Sequence, residues 1–120
     1  MRVAIAGPCG AGKTTLQRRL QQVGFNAVAI AQEHSHVPDM WRRVTQPDLL
    51  IYLDASLETI RQRMSPTWES WLLDLQRQRL RHARQHCHLY LPTDGLTPEQ
   101  VVERAVVFLQ AWRAAPTQGQ

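Results

Sequence analysis

The eight residues Gly7-Pro8-Cys9-Gly10-Ala11-Gly12-Lys13-Thr14 constrain this chain most. They follow an apolar run, Val3-Ala4-Ile5-Ala6, and precede a helical pattern that starts near Lys13. Strand, glycine-rich turn and helix form the context in which G-x-x-x-x-G-K-[ST] acquires a mechanism. Glycines let the main chain approach a ligand closely and adopt positive φ. The N–H groups of such a turn converge, and the positive end of the following helix adds to them, so the turn cradles phosphate. In that cradle Lys13 reaches the β- and γ-phosphates, and the Thr14 hydroxyl serves Mg²⁺.

Of the 14 basic residues, Lys13 is the only lysine. The one compact ammonium therefore falls where a point charge on a flexible stem binds phosphate. With this complete Walker A motif, the chain resembles the P-loop NTPases, and its later segments resemble the nucleoside- and nucleotide-kinase branch at minimal size. The resemblance implies a three-layer α/β/α fold around a four-stranded, mainly parallel sheet with the phosphate loop after strand one. It also implies ATP and Mg²⁺ as ligands, with Gly7, Pro8, Cys9, Gly10, Ala11, Gly12, Lys13, Thr14 and Thr15 binding the nucleotide.

At 120 residues the chain suits one domain with a real core, small for this class. No apolar run is long enough to span a membrane, and since Met1-Arg2-Val3 leads straight into the first predicted strand, no signal segment is expected. Cys9 and Cys87 are far apart, with one of them inside the loop, so a reducing, cytoplasmic setting is expected rather than a disulfide. Net charge is +4, which permits polyanion binding, although a nucleotide site is sufficient reason for the arginine excess.

The first helix is predicted over about Gly12–Val23, with Leu16, Leu20 and Val23 as its buried stripe and Gly24 as its stop. A second strand, Ala27–Ala31, follows at once and should lie beside the first. Ligands bind at the carboxyl ends of strands in open α/β sheets. Glu33, just past that end, is therefore a candidate for Mg²⁺ and for activating an acceptor hydroxyl. His34 and His36 match no standard zinc spacing with His82, His86, Cys87 and His88. The excursion from Val37 to Pro47 carries Asp39 as a second candidate base. Arg42 and Arg43 there are either acceptor contacts or solvated charges.

The third strand, Leu49–Leu53, ends at Asp54, which is a helix cap or a Mg²⁺ contact. Ile60, Met64 and Leu57 form the apolar side of the next helix. A long helix is predicted from Thr67 to about His86, with Trp68, Trp71, Leu72, Leu75 and Ala83 facing the core and Arg77, Arg81 and Arg84 facing solvent. Arg61 and Arg79 lie beside apolar stripes, where a guanidinium must be paired or extend to water. The kinase resemblance makes them candidate catalytic contacts to phosphate. A short fourth strand, His88–Leu91, leads through a turn at Thr93–Gly95 into Thr97-Pro98-Glu99-Gln100, a helix start. The last helix is expected to bury Val101, Val102, Ala105, Val106, Leu109 and Trp112, and a polar tail runs from Ala114.

The leading functional expectation is a small Mg²⁺-dependent kinase passing the γ-phosphate of ATP to a small-molecule acceptor. Lys13, Glu33, Arg61 and Arg79 are its catalytic candidates, and Thr14, Glu33 and Asp54 its metal candidates. Phosphoryl transfer demands positioning and charge neutralisation above all. The acceptor region is nearly absent, so any acceptor pocket must be small or shared with a second copy of the chain. This keeps an ATP hydrolase or a nucleotide-binding regulatory module open. The Asn-Lys-x-Asp pattern of guanine readers is absent, because Asn26 is the only asparagine. A nucleic-acid-associated protein is the third reading, based on Arg61, Arg63, Arg77, Arg79, Arg81 and Arg84 with Trp68 and Trp71 as stacking groups. Assignment of both tryptophans to the core weighs against it.

Overall fold

Strand β1 (Arg2–Ala6) is an apolar run whose last four residues are fully buried. In a computed structural model that describes residues 1–115, it pairs in parallel with β2 (Asn26–Ala29) on one side and β3 (Leu49–Asp54) on the other. Strand β4 (Leu89–Pro92) completes the sheet in the order β2-β1-β3-β4, all parallel. All six residues of β3 are buried, as expected for a parallel strand covered on both faces.

The pleat divides these strands between two cores. Val3, Ile5, Leu49, Ile51 and Leu53 face α1 (Lys13–Gln22) and α6 (Pro98–Ala114), where they meet Leu16, Leu20, Ala105 and Leu109. Ala4, Ala6, Leu50 and Tyr52 face α2 (Met40–Thr45) and α5 (Arg81–His86), where they meet Trp41, Leu80 and Ala83. The layers are therefore α/β/α. Burying each of these leucines contributes about 1.5–3 kcal/mol. Gly24, at φ 97°, ends α1, and the Phe25 N–H returns to the Leu20 carbonyl at 2.9 Å. At α6 the Thr97 side chain and the Gln100 side chain cap each other's backbone, with Pro98 at the first helical position.

Several sequence expectations shift. Val23 is 58% exposed, because α1 ends at Gln22 before the apolar stripe completes another turn. Trp112 and Met64 are likewise exposed near the ends of α6 and α3 (Leu57–Arg63). The predicted long helix is two: α4 (Ser70–Arg79) and α5, separated at Leu80, whose ψ of −1° breaks the helical repeat. Its inward face is also rotated. Leu73, Gln76, Leu80 and Ala83 are buried, whereas Trp71 is 60% exposed. A buried glutamine in this stripe disguises it, so apolarity alone favours the wrong side. Beyond residue 115 the expected tail lies outside the described residues.

Candidate active site at the phosphate loop

The sheet order places a topological switch point between β1 and β3, since β1 connects onward to one side and β3 to the other. Open α/β sheets bind ligands in the crevice at such a point. The loop after β1 occupies it. A Cβ on Gly7 would stand 2.2 Å from the Leu53 carbonyl oxygen, so only glycine lets the loop pass this close to β3. Gly12, at φ 100°, turns the chain into α1. No side chain caps that helix start, and no acidic residue lies in its first turn. Its leading N–H groups and positive dipole end are left for an anion.

Lys13 folds back over the loop. Its Nζ donates to the Gly7 carbonyl at 2.7 Å and the Pro8 carbonyl at 3.3 Å. It also meets Glu33 Oε2 at 2.5 Å. Both side chains are almost wholly buried, at 11% and 5% exposure. A short 3₁₀ turn, Gln32–His34, directly after β2 holds Glu33 there. Gln32, fully buried, fixes this turn: its amide donates to Val37 O at 2.8 Å and accepts from Trp41 N–H at 2.8 Å. Glu33 Oε1 is buried with no hydrogen-bond partner.

Helix α4 closes the loop from above. The Gln76 side-chain Oε1 accepts from the Cys9 N–H at 3.0 Å, and its Nε2 donates to Cys9 Sγ at 3.3 Å. Arg79 reaches the backbone side of Glu33, with Nη1 3.3 Å from its carbonyl oxygen, while its Nε is buried and unpaired. It thus stands behind the carboxylate. Arg61 bonds away from the loop residues: its Nε donates to Trp68 O at 2.9 Å. The arginine at the loop is Arg63, bonded to Gly10 O, Thr93 Oγ1 and Thr93 O, each at 2.9 Å.

Asp54 is buried and already fully engaged. Tyr90 donates to its Oδ2 at 2.6 Å, and Ala55 N–H and Arg77 reach Oδ1 at 2.9 and 3.3 Å. Burial and the bond to Asp54 push the Tyr90 phenol up, so it stays a protonated donor. Asp39 is held below the usual carboxylate range chiefly by its bond from Arg43, with Arg42 adding to it. This local pairing makes Asp39 a weak base and occupies both arginines. His82 and His86 lie tilted at 35° with ring centroids 4.2 Å apart beside Trp41, and Trp41 Nε1 donates to His82 Nδ1 at 3.1 Å. Of the histidines, His34 is the one brought to Cys9 and Glu33.

Two hollows flank the start of α1. One, of about 510 Å³, is lined by Cys9, Gly10, Lys13, Thr14, Glu33 and His34 among others. The other, of about 190 Å³, is mostly apolar and lined by Ala11, Leu16, Arg63, Thr93, Leu96 and Val101 among others. Gly12 and Thr15 line both. A molecule with a charged end and a flat apolar end fits this pairing. A third hollow, about 700 Å³, brings exposed Trp71 together with Arg77, Arg81 and Arg84.

Mg²⁺ takes oxygen ligands. The donors beside the loop fit it: the Thr14 hydroxyl and the Glu33 carboxylate with its unpartnered Oε1. Asp54 fits less well, since protein groups already occupy both its oxygens. Sequence reasoning missed Gln32, Gln76 and Arg63. Arg63 was within reach of it: it lies three residues after buried Ile60 and so shares its helix face, whereas Arg61 is turned about 100° away. We found no family model and no curated protein that matches the chain.

Proposed function

We propose that this chain binds a nucleoside triphosphate, ATP by resemblance, with its phosphates on the loop and its base in the apolar hollow beside Arg63. It then transfers the γ-phosphate to a small-molecule acceptor. The observation that supports this best is the uncapped start of α1 with Lys13 held over it by Glu33. An incoming phosphate offers Lys13 a stronger partner than the two loop carbonyls, and its flexible stem allows the exchange. Thr14 and Glu33 would hold Mg²⁺, which neutralises charge on the phosphates. Glu33, fixed by Gln32 and Arg79, orients the incoming hydroxyl. Gln76 holds the loop at Cys9 through its two bonds there.

The test follows γ-phosphate release from ATP with Mg²⁺, with and without nucleosides and small hydroxyl metabolites. A kinase gives acceptor-dependent phosphate transfer that Glu33→Gln lowers at least about a hundredfold. Tight ATP binding without turnover for any acceptor would leave a nucleotide-binding module. Acceptor-independent release would leave a hydrolase.

One observation favours a second reading, a nucleic-acid-associated protein. Trp71 is exposed beside Arg77, Arg81 and Arg84, which suits base stacking over a charged groove. Oligonucleotide binding that weakens steeply with salt, and that Trp71→Ala reduces, is what this reading requires.

A further inference from the structure

We infer that Cys9, Glu33 and His34 form a site for a thiophilic divalent cation of the zinc class at the lip of the phosphate loop. Glu33 and His34 are neighbours in the sequence, 24 and 25 residues after Cys9. The fold brings one ligand atom of each within 4.8 Å of the others. Cys9 Sγ stands 3.6 Å from His34 Nε2 and 3.8 Å from Glu33 Oε2, and the last two are 3.9 Å apart. With metal bonds of about 2.3 Å to sulfur and 2.0–2.2 Å to nitrogen and oxygen, ligands at tetrahedral angles stand roughly 3.3–3.6 Å apart. The observed triangle is within a few tenths of an ångström of that.

Two further observations support the site. Glu33 Oε2 is taken by Lys13, but Oε1 is buried and has no partner. Both Glu33 distances in the triangle run to Oε2, so a cation there takes over that oxygen and leaves Lys13 on its other partners, the Gly7 and Pro8 carbonyls. Gln76, 2% exposed, donates its amide N–H to Cys9 Sγ. Such a bond from an outer residue orients a metal-binding sulfur and stabilises its charge. His34, with its side chain 59% exposed, leaves an entry path from solvent. Three protein ligands leave the fourth position for water, the open arrangement. Sulfur and imidazole select zinc, copper or cobalt over magnesium. On binding, Cys9 releases its proton to solvent.

The site shares Glu33 with the Mg²⁺ of the nucleotide reading, but its test uses no nucleotide, so the two fail separately. The chain is reduced, freed of metal with a chelator and titrated with Co²⁺. The probe is the absorption band of charge transfer from thiolate to cobalt, with Zn²⁺ added afterwards to displace it. The expected result is one band per chain, abolished by Cys9→Ser, by Zn²⁺ and by chelator. His34→Ala should weaken Co²⁺ binding by about tenfold or more. Cys87→Ser and His36→Ala should leave the band unchanged. Circular dichroism of each variant separates loss of the ligand from loss of the fold. A band missing in the parent chain, surviving Cys9→Ser, or disappearing with Cys87→Ser in a folded chain overturns the assignment.

Discussion

Lys13 and Glu33 form a buried ion pair, and removing one partner leaves the other uncompensated. Lys13→Ala should therefore destabilise the fold by about 3 kcal/mol, read as a lower urea midpoint. The double variant Lys13→Ala/Glu33→Gln should recover much of that loss and still fail to bind ATP. Losses of the two single variants that simply add in the double variant would show that the pair is not coupled. Gly7 and Gly12 make a second contrast. An alanine at Gly7 meets the Leu53 carbonyl at 2.2 Å and should cost about 2–3 kcal/mol. An alanine at Gly12 meets nothing within 4 Å, so only its left-handed backbone is strained, at about 1–2 kcal/mol. Denaturant unfolding of the two variants checks the order. The motif made the loop legible at this scale, and strand order made Glu33 legible. Gln76 was not legible, because its partner is a backbone N–H 67 residues away.

Among the elements, the turn before α6 is tied to the start of α3 through Asp94. Its Oδ1 accepts from the Ser56 N–H at 2.9 Å and the Ser56 hydroxyl at 2.8 Å, and the Thr59 hydroxyl joins them. Partial burial alone would raise this carboxyl, but the Thr59 and Ser56 bonds outweigh it and hold Asp94 at about 2, against an ordinary 3.8. A depressed acid stabilises the fold fully above its unfolded value. That contribution is lost as pH falls from about 3.8 toward about 2. Asp94→Asn should lower stability at pH 7, where the contribution is fully present, and flatten the acid limb of the stability curve in this window. An unchanged acid limb would mean the tie contributes nothing. The turn residues and the cap at Thr97 were legible because their chemistry is local. The break at Leu80 and the inward face of α4 were not, because tertiary bonds to Cys9 decide which side of α4 is buried.

For the whole molecule, the hydrophobic pattern and short connections suffice to indicate a parallel α/β/α sheet. Long-range placement decides the rest: which arginine reaches the loop, and which tryptophan meets water. That placement makes Arg63, between the loop and Thr93, the arginine whose loss should weaken nucleotide binding, by roughly tenfold or more for Arg63→Ala. Arg61→Ala should leave affinity near that of the parent, and titration of both variants compares them. No helix among the described residues is long and apolar enough to cross a membrane. The central claim, a nucleoside triphosphate seated on the loop with Lys13 as its cation, is tested most directly by thermal unfolding with and without ATP and Mg²⁺. At a hundredfold excess over Kd the ligand should add about 2.7 kcal/mol, raising Tm by roughly 10 °C in the parent chain. The folded Lys13→Ala/Glu33→Gln variant should show no rise. A parent Tm that ATP leaves unmoved, or an equal rise in the variant, contradicts the account.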